Sequence, residues 1–146
     1  MNTSILPTYN RAPLAFERGE GSWLFTKNGD VYLDMGAGIA VNALGHSNSE
    51  LVDALTSQAN KLWHVSNLYE IPEQRRLAEL MVDTTFADNV FFTNSGTESC
   101  ELAVKMVRKF WYEKGQGERV EIITFEGSFH GRSSAGIAAG GSEKLT

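Results

Sequence analysis

Three stretches of this 146-residue chain carry residue types that could do chemistry. The first is Ser95-Gly96-Thr97, between an apolar run, Val90-Phe91-Phe92, and a long amphipathic segment. A helix starting there would leave backbone N–H groups free and present the positive end of its dipole, which favours an anion such as phosphate. Gly96 would let the backbone approach that anion closely. The same turn also reads as a capping box, Ser95-x-x-Glu98, which needs no ligand. From the turn alone capping is the stronger reading, and the two can coexist.

The second stretch is Phe129-His130-Gly131-Arg132, just past a β-prone run, Val120–Phe125. Open α/β sheets bind ligands beyond the C-terminal ends of their strands. An aromatic ring, an imidazole and a guanidinium between glycines could stack on a flat ring and hold a carboxylate. Arginine suits a carboxylate because its planar fork gives two parallel hydrogen bonds. Taken singly, Phe129 reads as core, His130 as a satisfied turn residue and Arg132 as a surface charge. The third stretch, Gly36-x-Gly38, follows a strand, but Val41 stands where a dinucleotide fingerprint needs its third glycine, and no helix is expected there. A Walker A motif and Ser or Cys nucleophile motifs are missing too. His46, His64, His130 and Cys100 lack metal-ligand spacing, so no metal site is expected.

The elements that must position these residues follow from pattern. Pro7 and Pro13 give the first dozen residues an extended arm. Asn28-Gly29 between two β-prone runs is a hairpin signal, so residues 14–35 read as a small antiparallel meander. Gly36 to His46 is a glycine-rich loop. Ser49 reads as an N-cap, with a helix over 50–62 carrying Leu51, Val52, Leu55, Ala59 and Leu62 on one face. A second helix starts near Pro72, with Leu77, Leu80, Met81 and Thr84 as its stripe. The third carries Cys100, Ala103, Val104, Val107, Phe110 and Trp111 and ends at Gly115. With β-runs at 90–92 and 120–125 around it, the class is α/β. Gly136 to Gly141 is another glycine cluster, read as a plain loop, after which no closing element follows, so the chain reads as truncated.

Composition sets the outer bounds. One domain of roughly 100–200 residues is the prior for this length. Hydrophobic residues at 42% and charged residues at 21% are globular proportions. No apolar run approaches the roughly 18 residues of a membrane span, and no secretory signal is visible. A net charge of −5 without a basic cluster argues against nucleic acid or an anionic membrane as partner. The single cysteine, Cys100, excludes an internal disulfide and fits a reducing compartment, the cytoplasm.

Taken together, the motifs resemble the class III (subgroup II) aminotransferases, fold-type I enzymes that use pyridoxal 5′-phosphate (PLP). The resemblance rests on Asn94-Ser95-Gly96-Thr97-Glu98 and Phe129-His130-Gly131-Arg132. It extends to Phe16-Glu17-Arg18-Gly19-Glu20-Gly21, Tyr32-Leu33-Asp34, the run from Gly38 to His46, and His64-Val65-Ser66-Asn67-Leu68-Tyr69. The Gly38–His46 run is most like members whose amino donor is N-acetylornithine, with 2-oxoglutarate as acceptor, in arginine biosynthesis. Members acting on ornithine, succinyldiaminopimelate or 4-aminobutyrate are the alternatives, as is a catalytically inert truncated chain. Ser99-Cys100 departs from the Ala-Asn more usual in the family and puts a thiol near the site.

The resemblance implies roles residue by residue. Ser95, Gly96 and Thr97 would hold the PLP phosphate. Phe129 would stack on the cofactor ring, with His130 supporting that loop. Arg132 would bind the carboxylate of the amino-acid and 2-oxo-acid substrates, and Asn67 and Tyr69 would line the entrance. The fold would be the N-terminal portion of a fold-type I transferase. Residues 1–47 would form an arm and β-meander, and 48–146 the first part of the large PLP-binding domain. The Schiff-base lysine and the acidic partner of the cofactor nitrogen lie beyond residue 146 in the family. None of the six lysines here sits in that lysine's context, so residues 1–146 alone are expected to be inactive. The family sheet places later strands between the runs at 90 and 120, so exposed apolar edges are expected. Full-length members are homodimers.

Overall fold

Asn28-Gly29 closes a hairpin, as its sequence predicts. The computed structural model describes residues 4–141, and in it strands β1 (Phe16–Glu20), β2 (Trp23–Thr26) and β3 (Val31–Leu33) form an antiparallel sheet in the order β1-β2-β3. Gly29 takes φ 91°, open to glycine at no steric cost, and its N–H donates to the Thr26 carbonyl at 3.1 Å. Trp23 pairs with Leu33 and Leu24 with Tyr32. The β1–β2 register slips between Phe16 and Arg18.

The loop after β3 is not plain loop. Ala37–Ala40 form a single helical turn, α1, with left-handed backbone. Ala37 (φ 44°), Ile39 (φ 63°) and Ala40 (φ 61°) are not glycine, and each left-handed L-residue costs about 1–2 kcal/mol. Such a turn persists only where its surroundings over-determine it. Asp34 Oδ1 accepts from the N–H groups of Gly36 at 3.1 Å and Ala37 at 2.9 Å. His46 straps the far end of the loop to the sheet by paired backbone bonds with Gly21. Its ring packs so closely on Gly19 that a Cβ there would stand 2.6 Å from His46 Cβ.

His46 Nε2 lies 2.8 Å from Asp34 Oδ2, and Nδ1 lies 3.0 Å from Asn42 Nδ2. With Asn42 donating to Nδ1, the proton on Nε2 points at Asp34. The Asp34 carboxyl is held below the usual carboxylate range, first by that hydrogen bond and then by the N–H groups of Ala37 and Gly36. A carboxyl with a lower pKa folded than unfolded contributes fully above the ordinary carboxylate range. That contribution is lost as pH falls through the lowered value. In the full-length protein the Asp34 carboxyl carbon, followed by NMR, is expected to titrate below an aspartate in an unstructured peptide. His46→Ala should raise its midpoint. An unshifted midpoint, or no response to His46→Ala, contradicts the arrangement.

Helix α2 spans Ser49–Ala59, shorter than the 50–62 expected. Its N-cap is Asn48 rather than Ser49: Asn48 Oδ1 accepts from Leu51 N at 3.2 Å, which places Ser49 inside the first turn. Helix α3 spans Pro72–Thr84 with Pro72 at its start, where the missing N–H costs nothing. Helix α4 spans Gly96–Glu113, and Gly115 follows its C-cap at φ 71°.

The second half brings two corrections. Residues 90–92 and 120–125 form no strand. Val, Ile and Phe favour a pleated surface, but a strand needs a neighbour to complete its ladder, and neither run finds one among the described residues. Ile123 and Phe125 are accordingly exposed. The glycine cluster near 136 is not a loop either: it forms helix α5, Ser134–Gly140. Ser133 Oγ caps it by accepting from Gly136 N at 3.2 Å, and Gly141 ends it at φ 57°. The sequence hides this helix because three of its flanking and internal positions are glycine, a residue helices disfavour. Contacts divide the chain into two compact units, one through Tyr69 and one from Glu70. No hydrophobic side chain is buried among the described residues.

Candidate functional site

The first turn of α4 is built by its own side chains. Ser95 Oγ accepts from Glu98 N at 3.3 Å, as a capping box requires. The Glu98 carboxylate reaches back one residue further than that motif usually does. It accepts from Asn94 N at 2.6 Å and from Asn94 Nδ2 at 3.3 Å. Thr93 Oγ1 and Ser99 Oγ, 2.6 Å apart, tie the entering chain to the second turn. Capping thus uses the Glu98 N–H and leaves those of Gly96 and Thr97 without a partner among the described residues. The box fixes the turn, and two donors at the positive end of the dipole stay open. A Cβ at Gly96 would meet no atom within 4 Å, so no described residue crowds the approach.

The Phe129–Arg132 loop lies against this turn. Gly131 is buried at φ 99°, and a Cβ there would fall 2.9 Å from Thr97 Cβ and 3.0 Å from Thr97 Cα. Side chains along the loop alternate. Phe129 is 68% exposed, and the Arg132 guanidinium carbon stands 5.3 Å from its ring centroid. His130 turns the other way. Its Nε2 is buried without a hydrogen-bond partner among the described residues, in a groove beside α4 that Cys100 and Val104 also line. A buried polar atom of this kind calls for a partner.

The structure thus brings together Ser95, Gly96, Thr97, Phe129, His130 and Arg132 in the second unit. Asn67 and Tyr69 belong to the first unit, both exposed, after a left-handed Ser66 whose N–H donates to His64 Nε2 at 3.2 Å. Sequence reasoning missed Gly131 as a packing residue; the only signal was its place between His130 and Arg132. Among the described residues no group of His, Cys, Asp and Glu could hold a metal ion, and no helix is long and apolar enough to cross a membrane. The arrangement pairs an anion cradle with an exposed aromatic face and a guanidinium fork, which together fit a flat, phosphorylated ring and a carboxylate.

Comparison with known proteins gives the same set of features a context. The family model described as aminotransferase class-III matches residues 5–146. The acetylornithine aminotransferase of Rhodobacter capsulatus is 72% identical over 145 residues, covering 99% of this chain and 37% of that protein. That of Agrobacterium fabrum is 59% identical over 140 residues, covering 96% and 35%. Among solved structures, N-acetylornithine aminotransferase from Stenotrophomonas maltophilia superposes with a TM-score of 0.77 at 43% identity, over 84% of this chain and 34% of that one. The omega transaminase from Pseudomonas jessenii in complex with PMP does so with a TM-score of 0.88 at 29% identity, over 99% and 34%. The chain therefore spans about a third of the length of these relatives.

Proposed function

This chain belongs to the class-III aminotransferases, and from that membership we propose that the full-length protein is an N-acetylornithine aminotransferase. It transfers the δ-amino group of N-acetylornithine to 2-oxoglutarate, giving N-acetylglutamate 5-semialdehyde and glutamate. The cofactor of the family is PLP, which supplies an electron sink; the protein supplies binding and orientation. The residues present fit it. The free N–H groups of Gly96 and Thr97 suit a phosphate, and the exposed face of Phe129 suits a ring.

In this reading Ser95, Gly96 and Thr97 hold the phosphate, Phe129 stacks on the ring and His130 supports the loop from behind. Arg132 binds the carboxylates of both substrates, and Asn67 and Tyr69 line the entrance. Residues 1–47 form the arm and meander, and 48–146 begin the PLP-binding domain. The observation that carries the reading is the contact of Gly131 with Thr97, which sets the carboxylate-and-ring loop beside the anion turn. The amino donor rests on the identities to proteins of that name. The same reading makes the full-length protein a homodimer, supported by the family resemblance. It places the protein in the cytoplasm, supported by one cysteine in 146 residues.

The test is turnover of the full-length protein with 2-oxoglutarate and each of N-acetylornithine, ornithine, succinyldiaminopimelate and 4-aminobutyrate. N-acetylornithine is expected to give the highest kcat/KM. A wide preference for 4-aminobutyrate would overturn the assignment.

A further inference from the structure

Gly131 is hemmed in from two sides. On one side lies Thr97: an added Cβ would stand 2.9 Å from its Cβ, 3.0 Å from its Cα, and closer still to Oγ1. On the other lies α5. A Cβ at Gly136 would stand 2.7 Å from the His130 carbonyl oxygen and 3.1 Å from the Gly131 carbonyl carbon and oxygen. One turn further on, a Cβ at Gly140 would stand 2.8 Å from the Ser128 carbonyl oxygen, and Gly127 N donates to the Gly140 carbonyl at 3.0 Å. The loop is therefore pressed between the first turn of α4, where the Thr97 side chain is the nearest obstacle, and α5, where the close contacts are to loop backbone.

We propose that Gly131 is a positioning residue for cofactor binding. Its bare α-carbon fixes Thr97 in the first turn of α4, and α5 holds Gly131 in place through Gly136 and Gly140. The inference rests on the reading of Gly96 and Thr97 as the phosphate site and adds what sets that site. Thr97 is β-branched, so its hydroxyl can take only a few staggered positions. The surface of Gly131 lies against both Cβ and Oγ1 and selects among them. The same contact sets the spacing between the anion turn and the ring of Phe129, two residues along the loop. A methyl group at 131 strikes Thr97 first. It also places an L-residue at φ 99°, a conformation that favours glycine.

The experiment measures the PLP dissociation constant of the full-length protein by equilibrium dialysis. The variants are Gly131→Ala, Thr97→Ala and the double substitution. Thr97→Ala is expected to weaken binding. Gly131→Ala is expected to raise the dissociation constant at least tenfold alone and by a smaller factor in the Thr97→Ala background, where Oγ1 is gone although Cβ and Cα still crowd the added methyl. That sub-additivity separates positioning from general loosening, which would cost the same in both backgrounds. A second measurement needs no substitution at 131: NMR of the Thr97 methyl in the cofactor-free full-length protein is expected to show one χ1 rotamer. If Thr97→Ala leaves binding unchanged, the phosphate reading falls and this inference with it. If Thr97→Ala weakens binding while Gly131→Ala costs the same in both backgrounds, or the Thr97 rotamer is averaged, the positioning role alone is overturned.

Discussion

Replacing Arg132 by alanine in the full-length protein is expected to lower kcat/KM by roughly 10²–10⁴-fold with both N-acetylornithine and 2-oxoglutarate. Each hydrogen bond to a charged group is worth about 1.5–3 kcal/mol. A bidentate guanidinium–carboxylate pair makes two, and every 1.4 kcal/mol is about tenfold. The loss should fall on both substrates because both present a carboxylate for the fork to hold: the α-carboxylate beside the keto carbon of 2-oxoglutarate, and the one at the far end of N-acetylornithine from its δ-amino group. Arg132→Lys keeps the charge but loses the fork, and is expected to recover only part of the activity. Cofactor affinity should change far less, since the phosphate is assigned to Ser95, Gly96 and Thr97 and the ring to Phe129. Steady-state kinetics on each substrate, with PLP titration as the control, checks this. Unchanged KM for both substrates would remove Arg132 from the carboxylate site.

Residues 1–146 expressed alone are expected to melt without a cooperative transition, to bind a hydrophobic dye and to catalyse no amino transfer. Surface area makes the first two quantitative. A folded monomer of this mass exposes about 7,400 Å², and its unfolded chain about 23,000 Å². These residues expose 13138 Å². They bury about 44% of the unfolded surface, where about 70% is usual for a domain of this length. Met35, Ile39, Trp63, Phe86 and Ile123 are each more than 80% exposed, and apolar surface of that extent drives association. The third expectation is chemical: borohydride reduction in the presence of PLP should fix cofactor mass selectively on no one of the six lysines. A sharp two-state melt or a single labelled lysine would overturn the respective expectation.

What was legible in the sequence was what is decided within a few residues. Asn28-Gly29, Pro72, Gly115 and Ser95-x-x-Glu98 each satisfy or release backbone groups locally, and each did so in place. The open donors beside the cap were legible as well, because a capped helix start leaves the first backbone N–H groups without an intrahelical partner. What was not legible depends on partners remote in the chain. Val120–Phe125 has strand propensity without a ladder. Asn48 outcompeted Ser49 as cap by geometry that one residue of spacing cannot reveal. Helix α5 is held by glycines against the 127–131 loop, a packing solution that propensity counts as a penalty. Gly131 escaped notice for the same reason: its importance lies in what it leaves out.

The left-handed turn at Ala37–Ala40 inverts a rule that protein engineers rely on. Exchanging glycine for alanine usually stabilises by thinning the unfolded ensemble. Here the native conformation sits where an L-residue is strained, so the alphabet tolerated at 37, 39 and 40 narrows to glycine, asparagine and the residues already present. β-branched newcomers fare worst there. A randomised library over this loop would therefore be purged by backbone geometry before its side chains were ever tried against a substrate. Variation would survive instead at exposed neighbours such as Leu44, whose backbone makes no such demand.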